Sequence, residues 1–421
     1  MISIKTLLNN PYFLKNGETK SVYLYVELLA GEVTTTQKRL PLNIALVLDR
    51  SGSMGGDKMT YTKKAADFVI DQLDSEDILS IVQYDDKIEV VQAAEKVKNK
   101  ALLHKKVEAI EARSMTNLSG GILEGYHQVS KNKKEGLVNR VLLLSDGLAN
   151  EGITDVSQLQ TLVQKKFRES GIALSTFGVG ADYDEKLMTN LSEYGGANYY
   201  FIDSPDKIPS IFAKELEGLL QVVGQNASLK VKFPKQFAHP SKVYGYPFSV
   251  ENEVLTVNFN DIYSKEEKAI LIRFDITQSF DHDLQFDYQV SYDDVHVSMD
   301  RITNQGNLYL KPITDKEVYL AAENTEIKEH IALFVSNDEF ERILEMVDRR
   351  DFVNAKAAIS TLLSEVNSVV NEETSEKLKA QKEIMEKYEQ NMDFMEMERG
   401  ESFAMSQKMS KSANYMSRKR K

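Results

Sequence analysis

Apolar and polar positions along this chain change their rhythm several times. Over residues 41–224, short apolar runs at 44–48, 78–83, 141–144 and 173–179 alternate with amphipathic stretches at 59–73, 102–111 and 156–170. Brief apolar runs suit buried strands, and longer stretches with apolar residues every third or fourth place suit helices. The alternation therefore predicts a doubly wound, mostly parallel α/β sheet. Over 225–313 the runs at 228–233, 254–258, 268–276, 284–292 and 308–310 alternate without a long helical stretch, the pattern of a small antiparallel β-sandwich. A strand is also expected at 21–29, followed by an exposed excursion over 31–36. One or two strands do not hold together alone, so residues 1–40 are expected to complete the sandwich, with the α/β domain at 41–224 inserted into it.

From residue 314 to 399 the spacing turns helical. Val318, Leu320, Ile327, Ile331 and Phe334, then Phe340, Ile343, Leu344 and Val347, then Phe352, Ala355, Ile359, Leu362 and Val366 fall on helical faces. Asn337, Asp338 and Glu339 suit a helix start, and 349–352 reads as the turn between two antiparallel helices. A bundle packed on itself or on the sandwich is the plain expectation. The alternative is a docking hairpin resembling one tetratricopeptide-like unit, which would not stand alone. Residues 400–421 read as a flexible Met-rich basic tail ending in Arg418, Lys419, Arg420 and Lys421. It is either a solvated end or a peptide that docks on a partner or on the chain's own acidic body.

Two apolar runs of the α/β region end in a carboxylate. Asp49 closes the run at 43–48 and is followed by Ser51 and Ser53; Asp146 follows 141–145; Thr116 lies in a loop just before a helix. In open parallel sheets ligands bind beyond the carboxyl ends of strands, near the switch in strand order. Hydroxyls as direct ligands, with carboxylates acting through water, suit a hard divalent cation and leave it electrophilic toward an outside carboxylate. Taken alone, Asp-x-Ser-x-Ser is also ordinary turn and helix-cap chemistry. What separates the two readings is the register of Thr116 and Asp146. Asp85, Asp86, Asp182 and Asp184 read as solvated loop carboxylates, and Asn150 and Glu151 as rim residues at most.

In order and spacing, Asp49, Ser51, Ser53, Thr116 and Asp146 resemble the metal-ion-dependent adhesion site of von Willebrand factor A domains, D-x-S-x-S, then T, then D. The similarity extends from about 41 to 221. It includes the turn at 146–152, the strand and glycine exit at 174–180, and the passage at 191–202. The resemblance implies a Rossmann-like domain with Ser51, Ser53 and Thr116 as inner oxygen ligands and Asp49 and Asp146 acting through water. The implied ion is Mg²⁺, with Mn²⁺ or Ca²⁺ as alternatives, and the implied partner is a protein that supplies an acidic side chain. A non-enzymatic protein–protein interaction module follows. The alternatives are an adaptor for an assembly or chaperone ATPase and a surface adhesin exported by another route.

Composition narrows the classes further. With 421 residues, 42% of them hydrophobic and 28% charged, the chain has the make-up of folded domains. A net charge of −12 argues against nucleic acid as a partner, because phosphate binding needs a basic face. The absence of cysteine excludes disulfides and thiolate metal sites. The first ten residues lack the apolar core of a signal peptide, and the chain holds no apolar run long enough to span a bilayer, so a cytoplasmic location is expected, or a surface location if a leader has been removed. An aspartate-nucleophile phosphatase would need a second acid at position 51, where Ser51 stands. No His-Glu-x-x-His, Gly-x-Ser-x-Gly or Gly-x-x-x-x-Gly-Lys-[Ser/Thr] motif occurs either. A non-enzyme is expected.

Overall fold

The computed structural model describes the chain except residues 1, 16–17, 33–38, 135, 148, 181–182, 260, 296–299, 372–373 and 419–421, and except the side chains of residues 220, 401 and 418. Most of the excursion expected at 31–36 lies outside the described residues, as do Leu148, Asp182 and the last three basic residues. The chain divides into two compact units: Met1–Glu32 with Ala227–Asp293 and Asp300–Lys421, and Val33–Asn226 with Asp294–Met299.

The first unit begins with β1 (Ile2–Leu8), β2 (Tyr12–Leu14) and β3 (Ser21–Ala30). β1 runs antiparallel to β3, with Ile2 opposite Ala30 and Leu8 opposite Leu24. No strand was expected at 2–8; with only its end residues fully buried, β1 carries little apolar signal.

The second unit is the α/β domain. In chain order it consists of β4 (Leu42–Asp49), α1 (Asp57–Gln72), β5 (Ile78–Tyr84), β6 (Ile88–Lys96), α2 (Lys100–Glu108) and α3 (Leu118–Ser130). After these come β7 (Val138–Ser145), α4 (Val156–Ser170), β8 (Ala173–Val179), α5 (Glu185–Tyr194), β9 (Gly196–Ile202) and α6 (Ile208–Leu220). The strand order is β6-β5-β4-β7-β8-β9, parallel throughout except where β6 pairs antiparallel with β5. β4 is buried along its whole length because it is flanked by β5 and β7 and covered by helices. The order reverses at β4, so Asp49 emerges at the switch point, where the two halves of the sheet diverge and leave a crevice.

The chain returns to the first unit at Ala227, within the next strand. β10 (Val222–Lys232), β11 (Ala238–Tyr244), β12 (Phe248–Glu251), β13 (Val254–Asn258), β14 (Ile262–Tyr263), β15 (Glu267–Ile276), β16 (Leu284–Asp294) and β17 (Arg301–Ile313) build two sheets with the N-terminal strands. One has the order β1-β3-β15-β11 and the other β12-β13-β10-β16-β17-β2, with β14 paired to β10. β3 lies between β1 and β15, with Val26 opposite Ile270.

Helices α7 (Lys316–Ala321), α8 (Thr325–Asp348), α9 (Phe352–Val369), α10 (Glu376–Met397) and α11 (Gly400–Arg418) follow. Ile327 and Phe334 of α8 pack on Tyr25, Tyr244 and Leu271 of the first sheet, and the Tyr25 ring stacks on His330 at 4.1 Å between centroids. Further along, Phe340, Leu344, Leu363, Met385, Tyr388 and Met392 form a separate helical core.

Two expectations are corrected here. Asn337 does not start a helix; it is buried in the middle of α8, where its Nδ2 donates to Leu333 O at 2.8 Å. The segment 400–418 is not a flexible tail, because it forms α11. Gln407 and Asn414 are buried and bonded to Tyr388 OH (3.0 Å) and Gln381 Nε2 (3.0 Å). Met385, Met392 and Met395 fill the core, while Met397 and Met409 stay exposed.

Candidate functional site

The five residues with metal-site spacing are all at the carboxyl end of the α/β sheet. Asp49 ends β4 and is fully buried. Its Oδ1 accepts from Ser51 N at 2.9 Å, and its Oδ2 accepts from Ser145 Oγ at 2.5 Å and Tyr84 OH at 3.2 Å. All three donors are neutral. Burial is the main influence on its acidity and pushes the carboxyl up to about 6 against these hydrogen bonds; the neighbouring Asp146 pushes the same way. Burial also raises the Tyr84 hydroxyl well above the usual phenol range, so it stays a neutral donor.

Ser51 and Ser53 leave the strand in a tight turn that brings their Oγ atoms 3.1 Å apart. A loop from the far side of α2 clamps this turn. Gly52 N donates to Ser114 O at 2.9 Å, and Arg113 N donates to Arg50 O at 2.7 Å. Ser114 sits at φ +62°, a left-handed conformation that costs a non-glycine residue about 1 kcal/mol, and the bonds at Arg113 N and Ser114 O hold it there. Thr116, also buried, lies two residues on. Asn117 then caps α3, its side chain accepting from Gly120 N at 2.9 Å.

Asp146 follows β7 immediately and is fully buried. Its Oδ2 accepts from Lys58 Nζ at 3.0 Å, and its backbone carbonyl accepts from Asp184 N at 2.8 Å. Ser145 ties the two acidic strand ends together. Its Oγ donates to Asp49 and accepts from Gly147 N at 2.8 Å. Gly121 on α3 backs the site: a Cβ there would lie 2.5 Å from Tyr84 Cδ1, so only glycine lets the Tyr84 ring stand where it reaches Asp49.

Several neighbours differ from the sequence reading or were missed by it. Asp85 is no solvated loop carboxylate: it is fully buried, with Arg113 Nε donating to its Oδ2 at 2.6 Å and Arg50 Nε 3.1 Å away. Asp184 caps α5 by accepting from Leu187 N. Asn150, read as a rim residue at most, positions Thr116. Its Oδ1 accepts from Thr116 N at 2.7 Å, and the backbone N–H groups of Asn150 and Glu151 both donate to Thr116 O. Lys58 was not singled out; the available signal was a cation in the first turn of the helix that follows Asp-x-Ser-x-Ser.

The donor set is entirely oxygen: three hydroxyls and two carboxylates, with no thiol or imidazole. Among the described residues no cluster of three or more His, Cys, Asp or Glu exists that could hold a metal. The chemistry therefore fits a hard cation bound through hydroxyls and waters rather than a carboxylate cage.

The α/β domain has the von Willebrand factor A fold, and the family profile "von Willebrand factor type A domain" matches residues 43–214. The chain is 29% identical to uncharacterized protein YfbK of Escherichia coli over 226 residues, covering 53% of this chain and 39% of that protein. It is 25% identical to human inter-alpha-trypsin inhibitor heavy chain H2 over 252 residues, covering 56% of this chain and 24% of the relative. The match thus spans less than two thirds of these relatives' own length. Among solved structures, a von Willebrand factor type A protein from Catenulispora acidiphila superposes with a TM-score of 0.68 at 15% identity, covering 90% of this chain and 89% of that one. The ArnB paralog VWA2 from Sulfolobus acidocaldarius does so with a TM-score of 0.61 at 18% identity, covering 93% and 98%. At these identities the likeness establishes the fold. Among the described residues no helix is long and apolar enough to cross a membrane.

Proposed function

We propose that this protein is a non-enzymatic binding module whose A domain holds a divalent cation, Mg²⁺ foremost, and uses it to capture an acidic side chain of a partner protein. The observation that carries the reading is the charge at the strand ends. Two fully buried carboxylates, Asp49 and Asp146, lie at the ends of neighbouring strands; Asp49 accepts from neutral donors only, and the paired hydroxyls of Ser51 and Ser53 follow it. Burying a carboxylate without a counter-charge is costly, and a cation held through Ser51, Ser53 and Thr116 would offset that cost. Binding is favoured over catalysis because, among the described residues, the groups that meet Asp49 are Ser51 N, Ser145 and Tyr84, each engaged as a donor to it.

The test is thermal unfolding of the full chain in chelator and then in excess Mg²⁺, beside Asp49→Ala. A cation that binds only the folded state at a hundredfold excess over its dissociation constant stabilises it by about 2.7 kcal/mol. The expected result is a rise with Mg²⁺ in the wild type and none in the variant. Equal behaviour of the two proteins would overturn the reading.

A further inference from the structure

Asp85 follows β5 immediately and is fully buried, although it is not one of the five residues with metal-site spacing. Its Oδ1 accepts from Lys87 N at 2.7 Å, and its backbone carbonyl accepts from Asn117 N at 2.8 Å, next to Thr116. Its Oδ2 accepts from Arg113 Nε at 2.6 Å and stands 3.1 Å from Arg50 Nε. The same two guanidiniums meet again at Glu89 Oε1, each with its Nη2 at 3.1 Å. Arg50 is the residue between Asp49 and Ser51, and it is buried; Arg113 lies three places before Thr116. One carboxylate thus joins the loop that carries Ser51 and Ser53 to the loop that carries Thr116. It does so beside two backbone bonds between the same loops, Arg113 N to Arg50 O at 2.7 Å and Gly52 N to Ser114 O at 2.9 Å.

We infer that Asp85, acting through Arg50 and Arg113, is a positioning residue that fixes the spacing between the Ser51 and Ser53 hydroxyls and the Thr116 hydroxyl, and so makes the site choose Mg²⁺ over Ca²⁺. This rests on the reading that the five oxygen-bearing residues bind a divalent cation. The two ions carry the same charge, so a preference between them comes from the spacing and rigidity of the ligands. Mg²⁺ demands a near-ideal octahedron of oxygens at roughly 2.0–2.1 Å, whereas Ca²⁺ accepts a variable number at roughly 2.3–2.6 Å in looser geometry. Hydroxyls on two loops that drift apart therefore cost Mg²⁺ more than Ca²⁺. Charge-assisted bonds from an arginine on each loop to one buried carboxylate resist that drift, because parting the loops leaves a buried charge without its partner. Groups that orient metal ligands from behind in this way tune affinity without touching the ion.

The experiment is calorimetric titration of Mg²⁺ and, separately, of Ca²⁺ into the metal-free full chain, for wild type, Asp85→Asn and Arg113→Gln, with Asp49→Ala as the control for the site itself. Asparagine keeps the size of the side chain and one acceptor oxygen but ends the ion pairing. Arg113 is half exposed, so its replacement leaves the buried core in place, and it decides the matter if Asp85→Asn does not fold. Loss of a nearby charge, or of stability in general, acts on two divalent ions alike, so the ratio of their affinities registers ligand geometry. Wild type is expected to bind Mg²⁺ more tightly than Ca²⁺. That ratio is expected to fall about tenfold in Asp85→Asn, chiefly through lost Mg²⁺ affinity, and by a smaller factor in Arg113→Gln. A ratio that stays at the wild-type value in the folded variants, or a wild type that prefers Ca²⁺, would overturn the inference while the site itself stands. Absence of cation binding from wild type, or equal binding by wild type and Asp49→Ala, would overturn the site reading and this inference together.

Discussion

The α/β sheet has fully buried aspartates at both of its ends, and they are compensated in opposite ways. At the amino end of the strands, Asp77 receives Arg39 Nη1 at 2.8 Å and Nη2 at 2.7 Å as a two-pronged pair, and accepts from Leu42 N at 2.8 Å and Asp74 N at 2.7 Å. Each oxygen has a cationic and a backbone donor. At the carboxyl end, Asp49 has neutral donors only, the Lys58 ammonium donates to Asp146, and the charge of Asp146 pushes the Asp49 carboxyl up. Burial is equal in the two places and does not separate them. The difference lies in the donors: a guanidinium faces Asp77, whereas Asp49 is met by neutral groups, which is what the proposed cation site builds on.

That contrast can be broken by substitution. Asp77→Ala takes the buried acceptor from two backbone N–H groups and leaves the Arg39 guanidinium only Asp74 and Leu40 O, and is expected to destabilise the α/β domain by about 3 kcal/mol. Its thermal midpoint should fall while the rise on adding Mg²⁺ is retained; loss of that rise would show the two ends to be coupled. Gly121→Ala acts at the other end by pushing the Tyr84 ring away from Asp49. Overpacking of this kind costs about 2 kcal/mol, and here the Mg²⁺-dependent rise should shrink along with stability. The smallest effect belongs to a charge pair outside both ends. His104 Nδ1 lies 2.6 Å from Asp67 Oδ1 and its Nε2 lies 3.1 Å from Asp71 Oδ1, joining α2 to α1. The hydrogen bond to Asp67, above all, raises the imidazole above its usual range. The stabilisation is therefore complete below the unfolded value, about 6.5, and is lost as pH rises through the higher folded value. At a third exposed it contributes less than about 1 kcal/mol. In His104→Gln that pH dependence should disappear from the thermal midpoint, with Mg²⁺ binding unaltered.

Much of the α/β domain was legible because its strands are buried on both faces. The runs expected at 156–170 and 173–179 coincide with α4 and β8 residue for residue. β6 escaped notice because it is an edge strand: Glu89, Glu95 and Lys96 interrupt its apolar residues and only Gln92 is fully buried. α11 escaped for a different reason. Its contacts with the rest of the bundle rely on Gln407 and Asn414, and its Phe403 lies under the Arg350 guanidinium at 3.6 Å, so it shows no apolar stripe. At the site, residue types and spacing pointed to Asp49, Ser51, Ser53, Thr116 and Asp146, whereas the supporting atoms could not be read. Asn150 acts through backbone atoms of Thr116, and Asp85 is buried by arginines that come from two different loops. Such relations depend on where distant segments meet, and a linear pattern does not record that.

The position of β3 has a consequence for the order of events during synthesis. Val26 waits for Ile270, and the entire α/β domain is translated between them. Until β15 emerges, β3 can pair with β1 alone and keeps one edge open. A chain this long between the two edges is slow to close as a flexible loop, so contacts within the intervening segment cost less entropy to form than the pairing of β3 with β15. The insertion therefore sets a minimum delay for its host: the sheet begun by the first thirty residues is completed only after the domain that interrupts it has been synthesised.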